Sequence, residues 1–340
     1  MKFISKGAFH IHTTYSDGTG TISQIAKDAK KAGLDWIIIT DHNNLTGLHN
    51  NEEGWYDGLA VIIGEEISPD SSDHYLALNI KEEVCCSLTP QKTIESVKSQ
   101  GGIGFIAHPD ESINRKNKFP PLRWTNWDIR GFNGIEIWNY MSDWGDNFDE
   151  RLSYYNLLTR HYRLTGPTKN TLRWWDEVNN ETSEIISAVG SLDSHAFKHQ
   201  FFEIFPYLDT FKTITNYLFL DQNLSTNFED AKTQILTALK NGNNIIVNRF
   251  WNNKQDDFIF SIISKNKEIF PGQETILNEN SKLLIKLPQK AKIKLFRNGN
   301  IIFEENTTNI KVKDLSPGKY RFEAYLNNKP WIFSNPISCK

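Results

Sequence analysis

The sequence predicts an α/β fold, a barrel of parallel strands with crossover helices, followed by a small all-β sandwich. In the long first part of the chain, apolar strand-like runs alternate with helix-like segments, which is typical of a parallel sheet. From about residue 257 the chain changes to short alternating runs separated by Asn, Gly and Pro turns, including the Asn-Gly turn of FRNGNIIF. We therefore place the two predicted domains at residues 1–255 and 256–340.

The predicted barrel elements follow one another without an internal repeat. KGAFHIHT is the first strand, and TISQIAKDAKKAGL is the first helix, because Ile22, Ile25, Ala26 and Ala29 share one face and Gly33 marks its end. A second helix, TPQKTIESVKSQGG, precedes the strand IGFIAHP. The other predicted strands are DWIIITDH, LAVIIGEEIS, HYLALNI, GIEIWN and EIISAVGSLDSH. We interpret residues 141–180 as a partly helical excursion from the barrel.

Composition excludes several classes of protein. With 340 residues, 39% of them hydrophobic, the chain can form a buried core, and its net charge of −3 comes without the Lys/Arg block of a dedicated nucleic-acid binder. No apolar run is long enough to span a membrane, and the N-terminus lacks the apolar segment of a signal peptide. Three cysteines, Cys85, Cys86 and Cys339, do not make a disulfide framework. We expect a cytoplasmic protein, and the sequence leaves its oligomeric state open.

Polar residues recur where the predicted strands end. His42 follows WIIIT, Glu66 follows VIIG, and His108 follows GFIA, while Asp193 and His195 follow the run ISAVGS. A barrel of parallel strands brings these ends to one face, where the active sites of such barrels lie. The pattern predicts a functional site built from several strands.

The residue types at this face indicate a metal site. His10 and His12 are two residues apart on a strand, so they point to the same side, although such a pair is frequently no more than two polar residues at a strand edge. A buried glutamate at a strand end is costly without a cation, and either Glu65 or Glu66 must face inward. Imidazole and carboxylate are the ligands of divalent transition metals. The candidate ligands are His10, His12, Asp17, His42, Glu66, His74, His108, Asp193 and His195.

These motifs, in this order, resemble a known family. FHIHTTYSDG, ITDHN, IIGEEIS, IAHP and GSLDSH are similar to the PHP (polymerase and histidinol phosphatase) domain over roughly residues 5–200. GPTKNTLRWWDEV and the terminal WIFSNPI resemble the CehA/McbA-like subgroup, whose members carry a C-terminal sandwich. The resemblance implies a distorted (β/α)7 TIM-like barrel that holds two or three divalent metal ions, Mn, Fe or Zn.

The resemblance also implies a division of the ligands among three metals. His10, His12, Glu66 and Asp193 would hold the first, Glu66 would bridge to a second held by His74 and His108, and Asp17, His42 and His195 would hold a third. Asp17 stands where some family members have histidine. The family pattern Gly-any-Glu favours Glu66 over Glu65.

The function that follows is a metal-dependent phosphoesterase. A metal-bridging hydroxide would attack the phosphorus of a small phosphorylated substrate, with Asp193 and His195 serving both as ligands and in catalysis. One alternative is hydrolysis of neutral carbamate or aryl esters at the same metals. A second alternative is a metal-dependent binding module without enzymatic activity.

Residues outside the ligand set are candidates for contacting the substrate. Arg115 and Lys118 in DESINRKNK, and Lys169 and Arg173 in GPTKNTLRWW, could bind a phosphate, but they could equally be solvated basic side chains. His199, close to GSLDSH, is a candidate general acid. Six tryptophans between residues 124 and 175 could stack on a substrate, although a core role is favoured for most of them. Tyr325 and Trp331 are candidates for a carbohydrate platform in the sandwich, with a structural role favoured.

Overall fold

The chain folds into a mixture of helices and strands. The computed structural model describes residues 2–112, 122–148, 153–199, 202–251 and 258–340. The helices are α1 (Ile22–Lys31), α2 (Thr46–His49), α3 (Pro90–Ser99), α4 (Tyr140–Asp146), α5 (Ser153–Leu158), α6 (Lys169–Glu181), α7 (Tyr207–Thr210) and α8 (Phe228–Asn241), with 3-10 turns at Arg160–Arg163 and Arg249–Trp251.

The strands are more numerous and divide into an earlier and a later set. The earlier strands are β1 (Phe3–Ala8), β2 (Trp36–His42), β3 (Gly54–Tyr56), β4 (Leu59–Ile67), β5 (Tyr75–Leu78), β6 (Ile103–Ile106), β7 (Gly134–Asn139), β8 (Ser187–Ser191), β9 (Phe197–His199), β10 (Phe202–Ile204), β11 (Ile214–Leu220) and β12 (Asn244–Asn248). The later strands are β13 (Ile259–Ser264), β14 (Lys267–Ile269), β15 (Glu274–Thr275), β16 (Lys282–Arg297), β17 (Asn300–Lys313), β18 (Gly318–Leu326), β19 (Lys329–Ser334) and β20 (Ile337–Cys339).

The first helix begins and ends where its sequence predicts. Thr21 caps α1, and a capping box with Gln24 satisfies two backbone N–H groups of the first turn. Ile22 and Ile25 lie on the buried face. The chain then turns at Gly33, whose φ of +75° lies in the left-handed region that favours glycine.

Seven strands form the sheet that carries the candidate site, in the order β8–β7–β6–β5–β4–β2–β1. Neighbours are parallel except at β5, which is antiparallel to both β4 and β6. The two ends of this series meet, since Ile11 bridges Ser194 and the His12 N–H donates to the Ser194 carbonyl at 3.0 Å. The predicted mixed α/β class is confirmed.

The antiparallel β5 departs from the all-parallel expectation. Only residues 68–74 connect β4 to β5, with no helix between them. A parallel connection needs a crossover of a dozen or more residues, whereas a short link allows only an antiparallel return. The predicted strand HYLALNI is therefore present, but it runs in the opposite direction to its neighbours.

Residues 258–340 contain strands and no helix, as predicted. Their pairing is mainly antiparallel around β16 and β18, and β19 also pairs with β12, so hydrogen bonding continues from the earlier strands into the later ones. Their hydrophobic cluster includes Phe322 and Trp331 together with Tyr217 and Val247 of β11 and β12. The predicted boundary at residues 255 and 256 lies outside the described residues.

The tryptophans serve mainly as core residues. Trp124, Trp138, Trp144, Trp174 and Trp175 are all buried. The indole N–H of Trp175 donates to the Ile186 carbonyl at 2.7 Å, and that of Trp174 donates to the Trp127 carbonyl at 2.6 Å. Two of them lie on α6, in the predicted excursion, and fasten it to the rest of the fold.

Tyr325 and Trp331, for which a structural role is favoured over a carbohydrate platform, lie on β18 and β19. Trp331 is completely buried, because it belongs to the core under the later strands. The Tyr325 hydroxyl donates to Glu323 at 2.7 Å.

All three cysteines are free thiols. No helix in the described part of the chain is long and apolar enough to cross a membrane.

Candidate metal centre

The structure gathers all nine predicted ligands in one cluster. His10, His12 and Asp17 follow β1, and Asp193 and His195 follow β8. The other four come from the strands between them. His42 and Glu66 are among the last residues of β2 and β4, His74 lies just before β5, and His108 lies just after β6. Most of the ligands lie at or shortly after the end of a strand, whereas His74 precedes the beginning of β5.

The ligand atoms form three overlapping groups. The atoms of each group lie within 4.8 Å of one another. Asp193 adds to the first group, since its Oδ1 lies 3.1 Å from His12 Nε2 and 3.4 Å from His10 Nε2. The groups are His10, His12 and Glu66; Glu66, His74 and His108; and His12, Asp17, His42 and His195.

Glu66 lies at the centre of the cluster. Its Oε1 is 2.8 Å from His74 Nδ1 and 3.3 Å from His108 Nε2. Its Oε2 is 3.1 Å from His10 Nε2 and 2.9 Å from His42 Nδ1. His12 Nε2 lies 3.4 Å from Oε2 as well, so a single buried carboxylate faces five imidazoles, which is the position that a bridging ligand requires.

Glu65 points away from the histidines. Its Oε2 accepts a hydrogen bond from the Val84 N–H at 3.0 Å. Burial raises its pKa to about 7. Neighbouring residues of a strand face opposite sides, so only one of the two glutamates can enter the cluster.

Two of the histidines donate a ring N–H to a backbone carbonyl. Carbonyl oxygens can only accept, so the proton of His74 is on Nε2, which donates to the Pro69 carbonyl at 3.1 Å, and the proton of His195 is on Nδ1, which donates to the Asp193 carbonyl at 2.8 Å. The other ring nitrogen faces a carboxylate, His74 Nδ1 that of Glu66 and His195 Nε2 that of Asp17 at 3.1 Å, and it would offer a lone pair to a metal ion bound there. Metal-binding imidazoles are oriented in this way.

Buried polar atoms in the cluster have no hydrogen-bond partner within the described structure. They are His10 Nε2, His12 Nδ1, Glu66 Oε2 and His108 Nδ1. His10 Nε2 and Glu66 Oε2 are close, but their geometry is not that of a hydrogen bond. Leaving such atoms unsatisfied is costly, whereas a cation between them would satisfy both. The donor set of imidazoles and carboxylates fits Mn, Fe or Zn.

The carboxylates and histidines of the cluster shift one another's pKa values. Burial would raise the pKa of Glu66, but the neighbouring histidines hold it well below its ordinary value, and the same holds for Asp193. Burial lowers the pKa of His12 to about 3, so this ring stays neutral and keeps a free lone pair. Burial opposes charge on His42 as well, yet Glu66 raises its pKa to about 9. The carboxylates of Glu66 and Asp193 are therefore ionised at neutral pH.

Three of the ligand residues have a left-handed backbone. The φ angles are +66° at His10, +25° at His108 and +52° at Asp193. This region is disfavoured for residues with a side chain, and it persists only where the surroundings enforce it. Hydrogen bonds between the segments after β1 and β8 contribute, including that from the Ser194 N–H to the His10 carbonyl at 3.3 Å.

The loop that carries Asp17 is shaped by a buried aspartate and a glycine. Asp41 accepts from the Thr13 N–H at 2.7 Å and from the Ser16 hydroxyl at 2.5 Å. A Cβ on Gly18 would lie 2.3 Å from the His12 carbonyl oxygen, so only glycine fits. Asp17 itself keeps 56% of its side chain exposed, so the third group faces solvent.

The candidate substrate-binding residues are not in the described cluster. Lys169 is exposed in the first turn of α6, and Arg173 is exposed beside Glu177 of the same helix, at 3.9 Å. Arg115 and Lys118 lie outside the described residues. His199 ends β9, and its side chain is also outside what the structure describes.

Sequence reasoning missed the residues that support the ligands. Glu136 of β7 lies 2.7 Å from His10 Nδ1, and Glu111 Oε2 lies 3.6 Å from His108 Nδ1. Asp41 holds the Asp17 loop. Glu136 could have been noticed as an acidic residue inside the apolar strand GIEIWN. Asp41 could have been noticed as an aspartate beside His42 in ITDHN.

Part of the chain matches a known protein family. The PHP domain model matches residues 8–108. An uncharacterized protein of Methanocaldococcus jannaschii is 34% identical over 120 residues, which cover 32% of this chain and 70% of that protein. A phosphoribosyl 1,2-cyclic phosphate 1,2-diphosphodiesterase of Eggerthella lenta is 32% identical over 79 residues, 22% of this chain and 30% of that enzyme.

Among solved structures, a two-domain protein of Bacteroides vulgatus, described as containing a predicted PHP-like metal-dependent phosphoesterase, aligns over 98% of this chain and 95% of its own, with a TM-score of 0.47 and 15% identity. An amidohydrolase of Chromobacterium violaceum aligns over 56% of this chain and 87% of its own, with a TM-score of 0.31 and 13% identity. The CehA/McbA-like subgroup stays a prediction. By its sequence match and its relatives, the chain belongs to the PHP domain family.

Proposed function

We propose that this protein is a metal-dependent hydrolase that cleaves a small phosphate ester. The observation that carries the proposal is the set of three overlapping ligand groups, two of which share the buried Glu66 and two of which share His12. When bound, divalent ions at such a site lower the pKa of coordinated water and offset negative charge on a phosphate group. The sequence similarity to a phosphodiesterase, 32% identity over 79 residues, supports a phosphate ester as substrate.

The ligands are proposed residue by residue. His10, His12, Glu66 and Asp193 hold the first ion, Glu66, His74 and His108 the second, and Asp17, His42 and His195 the third. His12 also reaches the third group, so the first and third positions are adjacent. We propose two or three ions, each Mn, Fe or Zn.

The fold of the family is proposed along with the site. Strands β1, β2 and β4 to β8 would form the distorted (β/α)7 TIM-like barrel of residues 1–255, with residues 256–340 as the β-sandwich. The bridge between Ile11 and Ser194 supports closure of the barrel.

The residues around the third group define where the substrate enters. Side-chain exposure is 56% at Asp17 and 29% at His42, but only 1% at Glu66. The phosphate ester therefore approaches from the side of Asp17 and His42. Glu66 and Asp193 hold the cations from the buried side, where they are shielded from water. His199 remains a candidate for protonating the leaving group.

The two adjacent glutamates of β4 provide a matched test. We expect Glu66→Gln to lose metal and to lower phosphoesterase turnover by more than about 100-fold, because even supporting residues of metal sites cost roughly 10–100-fold when changed. Glu65→Gln changes the same chemical group one residue away, and we expect it to keep both properties. Metal content is measured by mass spectrometry after dialysis, and turnover with phosphate mono- and diesters and neutral aryl esters supplied with Mn, Fe or Zn.

Two outcomes would contradict the proposal. Full metal content and full turnover in Glu66→Gln would show that the carboxylate is not a ligand. Turnover of neutral esters alone by the wild-type protein would exclude the phosphate ester as substrate.

A further inference from the structure

We infer that Glu136 is a positioning residue that sets two of the ligands at once, His10 through its ring and His108 through its backbone. The inference rests on the metal site of the proposed function. It assigns a role to a residue that is not itself among the ligand groups.

Glu136 is buried on β7, and both of its oxygens are engaged with ligand residues. Oε1 lies 2.7 Å from His10 Nδ1. Oε2 accepts from the His108 N–H at 2.9 Å and from Asn139 Nδ2 at 3.2 Å. One carboxylate thus joins the segments that follow β1 and β6.

At His10 the contact determines which nitrogen can bind a metal. A carboxylate at Nδ1 favours the tautomer with the proton on that nitrogen. The nitrogen left to bind a metal is then Nε2, which faces Glu66 Oε2 at 3.1 Å and Asp193 Oδ1 at 3.4 Å. Nε2 is also one of the buried atoms without a hydrogen-bond partner in the described part of the chain.

At His108 the contact stabilises an unfavourable backbone. The φ of +25° is rare for a residue with a side chain. The hydrogen bond from the His108 N–H to Glu136 Oε2 holds this conformation, which in turn directs His108 Nε2 toward Glu66 Oε1, 3.3 Å away. The first and second ligand groups therefore depend on the same side chain.

A third ligand is reached through Asn139. Its Nδ2 donates to Glu136 Oε2 and also lies 3.5 Å from Asp193 Oδ2. Its Oδ1 accepts from the Ser142 N–H at 3.0 Å at the start of α4, so the amide is held with its NH2 group toward the two carboxylates.

Replacing Glu136 by glutamine makes a specific prediction about the His10 tautomer. Glutamine has one acceptor oxygen and one NH2 donor in place of two acceptors. The backbone N–H of His108 can only donate, so the glutamine oxygen must remain there. The NH2 group then faces His10 Nδ1 and donates to it, which moves the ring proton to Nε2, the atom that should bind the metal.

The experiment compares Glu136→Gln with Asp143→Asn. Asp143 is a matched control because it is also a buried acid, accepting from Trp138 Nε1 at 2.9 Å and from the Gly166 N–H at 2.9 Å. Among the described residues, it forms no hydrogen bond or ion pair with the nine ligands. Zinc affinity is measured by competition with a chelator. Ring ¹⁵N resonances of the metal-free proteins, with His10 assigned through His10→Gln, report the tautomer.

We expect Glu136→Gln to weaken zinc binding by roughly 10–100-fold and to move the His10 proton to Nε2. Asp143→Asn should lower the unfolding temperature but leave zinc affinity within about twofold, because its partners are not ligands. Should Glu136→Gln not fold, Glu136→Asp tests the same point, since the shorter carboxylate cannot reach both partners and zinc binding should weaken.

Unchanged zinc affinity with the proton still on Nδ1 in Glu136→Gln would overturn the inference, as would an equal loss of affinity in Asp143→Asn. If the wild-type protein bound no metal, the proposed function would fail. The tautomer of the metal-free protein would still decide the role of Glu136.

Discussion

At the scale of single residues, two adjacent glutamates differ because a strand turns alternate side chains to opposite faces. Glu66 faces five histidines, whereas Glu65 Oε2 accepts a hydrogen bond from the Val84 N–H. The Oε1 atom of Glu65 has no hydrogen-bond partner among the described residues. The structure therefore stabilises the ionised form of Glu66 and the protonated form of Glu65.

The raised pKa of Glu65 predicts a pH-dependent stability. Burial raises it from 4.5 to about 7 in the folded protein. Between these values the unfolded chain has already released the proton that the folded protein retains, so stability falls as the pH rises through this window. We expect Glu65→Gln to match the wild type near pH 4 and to exceed its free energy of unfolding at pH 8 by on the order of 3 kcal/mol.

Urea unfolding from pH 4 to 8 measures this difference. Identical pH dependence in the two proteins would show that Glu65 is ionised in the fold. The variant is also the control for Glu66→Gln, so its stability must be known before metal content is compared.

Most ligands were predictable from the sequence because they share one local rule, a histidine or acid at the end of an apolar run. Glu136 was not predictable, because it lies inside an apolar run, and the sequence does not tell whether such a side chain faces the core or the candidate site. Only the register between β7 and its neighbours puts it beside His10. Asp41 is similar, since its neighbour His42 enters the cluster while Asp41 holds the loop after β1.

At the scale of elements, direction was harder to predict than position. The strand β5 was found at the predicted place, but its direction depends on the length of the link from β4, which the alternation of polar and apolar residues does not report. The reversal has a consequence for the site, because it places His74 at the beginning of β5 rather than at its end. His74 therefore meets the ends of β4 and β6.

A buried ion pair fixes α6 against the later strands. The Arg321 side chain is only 4% exposed, and it donates to Asp176 through Nε at 2.7 Å and Nη2 at 2.6 Å. Its Nη1 donates to Glu323 at 2.7 Å, and its guanidinium lies 3.9 Å from the centre of the Phe296 ring. The same helix ends in an exposed pair between Arg130 and Glu181, at 2.7 Å.

These two arginines predict unequal costs for the same substitution. Arg321→Met leaves Asp176 and Glu323 buried without their cation, so we expect a loss of about 3–5 kcal/mol in the free energy of unfolding. Arg130→Met removes a solvent-screened pair and should cost less than about 1 kcal/mol. Urea unfolding of both variants checks the difference, and equal losses would show that the Arg321 pair is not the anchor of α6.

At the scale of the whole molecule, the candidate ligands connect distant parts of the chain. They extend from His10 to His195 and come from strands at both ends of the seven-strand series. Without cations, Glu66 and Asp193 are stabilised by the neighbouring histidines alone, and several buried polar atoms have no hydrogen-bond partner among the described residues. Bound ions would act as further cross-links between these strands, in addition to their backbone hydrogen bonds and to side-chain contacts such as those of Glu136.

This connection predicts that metal removal lowers the unfolding temperature of the whole protein. A ligand at about 100 times its dissociation constant stabilises the folded state by about 2.7 kcal/mol, which corresponds to roughly 5–10 °C in a domain of this size. We expect a chelator to lower the unfolding temperature of the wild type and of Glu65→Gln by that amount, and of Glu66→Gln hardly at all. Arg321→Met should lower it equally with and without chelator, because its ion pair lies outside the cluster. A chelator shift that persisted in Glu66→Gln would place the stabilising ions at some other site.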